Sequence, residues 1–417
     1  MISRKIHDLR HFTLILSIGA ILNNILRYIF RILALFLLLA SDYKYFTIII
    51  WTHGIMLPFS SFLLHIPLTR KIREAKNEVM LHKTFKNFAF NYSITSIFSF
   101  MVFIFLSFYF FNALEPILIF FLASSLVFYS FSEFFIGLSN GFLMPIKSVL
   151  IPFVGNLIMG LLAIISLFVI SLQNINSFIF FFGLSYLGSF LMGLYLYKTE
   201  IKNYLISGRK IIEKKEIKEN IKNSLFLVST NFVKNFSLLM SIITAASILS
   251  DISFKVFDLS LMIISLIAIL GNSLTSALNS KKDLEKQPNL KFLKKNIIPI
   301  IIINFLILVF LLVTNLDRLV LLNFLGENSE KSYYFIRISL FIPIPIIISA
   351  YFGGRILNFG EYSKYLISSI FGLMGSIIIL FLAFSLNISY LLIIALIFEQ
   401  IISLLFLIIY DYLQKRV

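Results

Sequence analysis

Apolar runs long enough to cross a bilayer recur from one end of this chain to the other, and no other feature limits its fold so tightly. Segments of about twenty apolar residues are transmembrane helix candidates. They fall at residues 14–39, 45–67, 88–111, 116–138, 146–171, 177–197, 223–249, 255–279, 297–321, 332–353, 362–385 and 388–410. Only 13% of the 417 residues are charged against 59% hydrophobic. Soluble domains carry roughly 25% charge, so a water-facing globule could not hide this much apolar surface. The first run is too long for a signal-peptide core and has no A-x-A exit, so it reads as a span. Cysteine is absent, which excludes a disulfide framework and thiolate metal sites.

Orientation follows from the loops. With both termini cytoplasmic, 28 of the 36 Lys and Arg fall in inner segments and 4 in outer loops; the remaining 4 lie within spans. That asymmetry fixes the termini and the 198–222 segment on the cytoplasmic side. The net charge of +16 then belongs to loops facing an anionic leaflet, with no soluble basic domain left over for nucleic acid. The 198–222 segment contains GRKIIEKKEIKENIK, and its mixed charge predicts a short amphipathic helix on the membrane surface.

The two halves resemble each other. LSIGAILNNILRYIF, from Leu16, matches NSLFLVSTNFVKNFS, from Asn223, so that Ser17 meets Ser224, Asn24 meets Asn231 and Arg27 meets Lys234. SDYKYF at 41–46 parallels SDISFKVF at 250–257, and the second helix of each half runs into a basic loop. Six spans per half make this a parallel repeat about an axis along the membrane normal. The expected fold class is an all-α polytopic membrane protein, with about twelve helices in two parallel six-helix lobes and a central cavity. Its domains are an N-terminal lobe (1–197), a basic linker (198–222) and a C-terminal lobe (223–417).

Charges inside the spans point to function. Arg27 lies roughly 20 Å from either end of its helix at 1.5 Å per residue, too far to snorkel. A central Arg or Lys costs roughly 2.5–3.5 kcal/mol on insertion scales, so Arg27, Arg31 and Lys234 together oppose insertion by roughly 8–10 kcal/mol. They therefore face a wet cavity or a partner. Arg27 and Arg31, four residues apart, share a helix face with Asn24. Glu399 is the deep acid able to pair with them, but one acid does not neutralise three bases. The alternative to an ion pair is an anion site shared by Arg27 and Lys234 and lined by Asn24 and Asn231. Arg matches phosphate in a fork geometry, which makes a phosphate or diphosphate the natural guest. Glu399, Glu133 and His53 are candidates for ion coupling or gating, each weighed against a plain packing role. His65 and Arg337 read as interfacial. Pro58 and Pro67, with Pro343 and Pro345, permit kinks.

On these features the chain resembles the Wzx-type polysaccharide flippases of the multidrug/oligosaccharidyl-lipid/polysaccharide exporter (MOP) superfamily. The resemblance rests on length, two six-helix halves, cytoplasmic termini, a polar cationic first helix in each half, and FSSFLLHIPLTRKIREAKNEV at 59–79 as the second-helix exit. It implies a flippase of the bacterial inner membrane that moves undecaprenyl-diphosphate-linked oligosaccharide, an O-antigen or capsule repeat unit, to the outer leaflet by alternating access. It implies that Arg27, Arg31 and Lys234 meet the diphosphate, and that glycan polymerase and chain-length machinery are partners. No cofactor is implied; coupling would be to H+ or Na+. The competing readings are an ion-coupled multidrug antiporter of the same fold and a membrane-embedded glycan-modifying enzyme. The antiporter reading calls for carboxylates in the cavity, and the first span has none. The enzyme reading calls for a long outer loop and paired acids, and the longest outer loop, near Leu322–Lys331, has about ten residues. A major-facilitator sugar transporter would carry G-x-x-x-D-R-x-G-R after its second span, and LTRKIREAK lacks it.

Overall fold

In the computed structural model the apolar runs become helices, and the helices outlast the runs. The structure describes residues 9–110, 114–203, 214–264, 330–342, most of 344–353, and 362–414, with a few isolated positions between 302 and 314. The helices are α1 (Leu9–Leu37), α2 (Ala40–Ser61), α3 (His65–Glu74), α4 (Glu78–Phe110), α5 (Pro116–Gly141), α6 (Pro145–Ser166), α7 (Ile175–Leu196), α8 (Lys214–Ile248), α9 (251–264), α10 (Glu330–Ser339), α11 (Tyr362–Leu386) and α12 (Leu391–Gln414). Nine stretches of the described residues are long and apolar enough to span a membrane. They match the first seven and the last two expected spans. The eighth is described only to residue 264, the ninth lies almost wholly outside the described residues, and the tenth is represented by α10 and the apolar stretch Phe335–Ile346.

Two differences from the sequence reading have clear causes. α4 begins at Glu78, ten residues before its apolar run. Hydropathy marks where hydrocarbon begins, whereas the backbone stays helical into the polar loop because nothing breaks it. For the same reason residues 214–222 are not a separate surface helix but the first turns of α8. Residues 204–213 lie outside the described set.

The chain divides into two units, Met1–Phe232 and Val233–Val417. In the first, α5 and α7 pack on each other, α6 packs on α1 and α7, and α2–α4 close around α5. Leu68, Phe85, Phe88, Tyr92, Phe134 and Leu138 form its core at the α3–α4–α5 end. In the second, α11 and α12 form the main helix pair. Pro116 and Pro145 open their helices at the first turn, where a missing N–H costs nothing. Asn174 caps α7 by accepting from the Ser177 backbone N–H at 2.9 Å. Several buried serines satisfy their hydroxyls within their own helices. Ser132, Ser139, Ser189 and Ser241 each donate to the carbonyl four residues back, as a polar group without water must.

One span is broken. Phe62 and Leu63, neither of them glycine, both adopt left-handed backbone (φ 47° and 48°) between α2 and α3. The carbonyl of Ser60, released by the break, accepts from Thr95 Oγ1 at 2.9 Å and Ser130 Oγ at 2.8 Å. Pro58 stands one turn before the break and Pro67 in the first turn of α3.

Candidate functional site

Arg27 is exposed at the middle of α1. Its Nε donates to Asn156 Oδ1 on α6 at 3.1 Å, and Asn156 Nδ2 donates in turn to Asn23 Oδ1 at 3.4 Å. The Asn156 amide thus uses both its ends, which fixes its orientation and that of the guanidinium. Among the described residues no further hydrogen bond holds Arg27, so the edge carrying its two terminal nitrogens remains open. Its charge is felt by Tyr129 and Tyr186, which also feel Glu133.

Lys234 occupies the matching place in the second unit. Its Nζ donates to the Tyr365 hydroxyl at 2.6 Å and lies 4.4 Å from that ring's centroid. One turn on, Ser237 Oγ donates to Glu399 Oε2 at 2.8 Å and lies 3.1 Å from Ser376 Oγ. Glu399 is 4% exposed and within electrostatic reach of Lys234, though among the described residues the two form no direct ion pair.

The remaining candidates separate. The guanidinium carbon of Arg31 sits 5.3 Å from the Trp51 ring centroid, on α2. Asn24 and Asn231 turn inward on their own helices, donating to the carbonyls of Ala20 (2.7 Å) and Leu227 (3.1 Å) four residues back. His53 is fully buried against Phe103, Phe182 and Tyr186. Its Nε2 is 2.8 Å from Ser125 Oγ and 3.3 Å from the Leu122 carbonyl. Ser125 gives its own proton to that carbonyl, which leaves Nε2 as the donor in the His53–Ser125 contact. Glu133 lies 3.1 Å from Nδ1 of His65, a pairing the sequence reading did not foresee. Nor did it single out Asn156, Tyr365 or Ser237. An Asn, a Tyr and a Ser in apolar helices carry no spacing signal; only packing shows what they touch.

The two units repeat one another's contacts. Counted by the expected spans, α6 and α11 come fifth in their halves and α7 and α12 sixth; in each unit, the cation of the first helix is held by a neutral polar side chain on the fifth, and the asparagine three residues before it bonds the carbonyl four residues back. In each, a lysine opening the fifth helix lies over the ring of a tyrosine closing the sixth: Lys147 over Tyr197 at 4.7 Å and Lys364 over Tyr410 at 3.9 Å. In each, a glycine of the fifth helix lies against a serine of the sixth. A β-carbon at Gly155 would collide with the Ser185 carbonyl and Ser189 Oγ, and one at Gly372 with Ser403 Oγ.

No protein-family model and no curated protein matches the chain. Solved structures do. An outward-facing multidrug resistance MATE family transporter of the MOP superfamily aligns at TM-score 0.64 and 12% identity, over 98% of this chain and 96% of that one. A MOP superfamily transporter from Pyrococcus furiosus, described as having a binding pocket of reverse polarity that suggests a different function, aligns at 0.62 and 15%, over 98% and 97%. A eukaryotic MATE transporter aligns at 0.61 and 12%, over 96% and 95%. At these identities the likeness is one of fold, and it runs nearly the full length of every partner. The chain therefore has the fold of the MATE transporters of the MOP superfamily, all-helical, with nine stretches long and apolar enough to cross a membrane among the described residues.

Proposed function

We propose that the transported molecule is an anion, and specifically a diphosphate-bearing lipid carrying an oligosaccharide, flipped by alternating access across a bacterial inner membrane with both termini cytoplasmic. The observation that carries this reading is the partner choice of Arg27. A cation kept at mid-membrane for structure alone would be neutralised by a carboxylate, because an unpaired charge is costly there. Arg27 is instead steadied by an amide, which orients the guanidinium without cancelling its charge. Its open edge has the two-pronged geometry that phosphate oxygens accept. Lys234, held by Tyr365, repeats the choice. The reversed pocket polarity described for the Pyrococcus furiosus relative supports the idea that one fold serves substrates of opposite sign.

A second reading is ion-coupled multidrug antiport. The multidrug MATE neighbours favour it more directly than they favour a flippase, and the buried Glu399 offers a carboxylate for a cationic drug or a coupling ion. The two separate in one strain lacking the gene. Under the anion reading, the intact chain restores the surface glycan and Arg27→Ala does not, at equal protein level in the membrane. Restored drug tolerance without any effect on the glycan, surviving Arg27→Ala but not Glu399→Ala, would establish the antiporter instead.

A further inference from the structure

The proposed anion group leaves one acid–histidine contact of the first unit unused. His65 Nδ1 lies 3.1 Å from Glu133 Oε2, within ion-pair distance when the histidine carries a proton though not aligned as a hydrogen bond, with the side chains only 25% and 15% exposed. The sequence prepares the approach: Gly137, one turn beyond Glu133, lets the His65 backbone lie against α5, where a β-carbon would come within 3.0 Å of the His65 Cα. His65 is the first residue of α3, directly after the left-handed residues Phe62 and Leu63. Left-handed backbone at non-glycine residues is unfavourable unless the surroundings hold it. The pair is one such hold, since it ties the start of α3 to α5.

α4, which packs on both α3 and α5, carries buried polar groups of its own. Asn91 and Tyr92 on α4 are fully buried, and Asn91 Oδ1, Asn91 Nδ2 and the Tyr92 hydroxyl have no hydrogen-bond partner among the described residues. A buried amide with nothing to bond marks a place that water or a transferred proton can occupy. Glu133 acts electrostatically on Tyr92, on Tyr129 one turn before it on α5, and on Tyr186 of α7; Arg27 of α1 acts on the last two. Arg73, further along α3, is spent on the Asn140 carbonyl at 3.0 Å. Among these groups only histidine ordinarily changes charge between pH 5 and 8.

We propose that His65 and Glu133 form a proton-binding latch: with the proton on His65 the ion pair holds α3 to α5, and its loss frees the break between α2 and α3. Its role in coupling rests on the transport reading; its existence does not. The chain has no cysteine, so Ile66→Cys, exposed beside His65, takes a single nitroxide spin label in the full-length protein in lipid nanodiscs. Between about pH 5 and pH 8 the ratio of mobile to immobile label should rise at least about fivefold as the pair loses its proton. The rise should vanish in both Glu133→Gln and His65→Gln and return in part in Glu133→Asp, which retains the charge. An equal rise in the unsubstituted and both neutral variants, or no rise in any of them, overturns the latch. Arg27→Ala disables the proposed anion group but keeps the pair, so a pH response that survives this change supports the latch whatever becomes of the anion reading.

Discussion

The first-helix cations of the two units occupy equivalent places and are each held by a neutral polar side chain, but in different surroundings. Arg27 is exposed and bonded through one nitrogen to a neutral amide, while Glu133, which acts on the same two tyrosines, lies against His65. Lys234 is half-buried, covered by the ring and hydroxyl of Tyr365, and shares its surroundings with the nearly inaccessible Glu399. The same repeat position has thus become an open cation in one unit and a member of a closed polar cluster in the other. Charge alone does not make a binding site; a site also needs a partner that orients the charge and leaves part of it unclaimed.

The largest effect expected from this contrast is on transport. Arg27→Ala should lower glycan export by roughly 10–100-fold, the worth of about 1.5–3 kcal/mol in a charge-assisted bond, at normal protein level. Arg27→Lys should recover only part, because it keeps the charge and loses the fork. Lys234→Ala should act mainly on stability, measured as the thermal midpoint in detergent, since it leaves Glu399 buried without its nearby cation. If Lys234→Ala abolishes export without lowering the midpoint, the two cations are functionally alike and the contrast fails.

Asn156→Asp provides a sharper test. A carboxylate at that position would pair with Arg27 and claim its charge. Export should fall about as far as in Arg27→Ala while the thermal midpoint holds or rises. Asn156→Ala, by contrast, should cost about 1 kcal/mol of stability and leave measurable export, because the charge remains. Equal export in the two variants would show that orientation, not neutrality, is what Asn156 supplies.

The second unit gives the next effect. Ser237→Ala removes the donor to Glu399 Oε2 and should destabilise by about 1–3 kcal/mol. Glu399→Gln in the Ser237→Ala background should restore part of the loss, because a neutral amide is cheaper to bury than a carboxylate. The smallest effect is expected at the cation–π contacts. Tyr365→Phe keeps the ring over Lys234 and loses one hydrogen bond, and Trp51→Phe weakens the face offered to Arg31; each should shift stability by about 0.5–1 kcal/mol. A larger loss at Trp51 than at Tyr365 would place the more important cation contact in the first unit.

The all-helical class, nine of the expected spans and the equivalence of Arg27 and Lys234 were legible in the sequence. Each depends on a local quantity: apolar length against bilayer thickness, or a motif repeated at a fixed offset. The break at Phe62 and Leu63 was only half legible. Pro58 and Pro67 flagged the region, but the residues that turn are ordinary apolar ones, held by hydroxyls from α4 and α5. Arg27 and Arg31 looked like a matched pair, since four residues bring side chains to one helix face. Tertiary packing parted them, because α6 offers an amide beside one and α2 an indole beside the other. What each deep charge touches was decided by which helix lies alongside it. That choice belongs to the packing of the unit, where an Asn, a Tyr or a Ser of no sequence distinction becomes the polar partner of a charge that lipid cannot solvate.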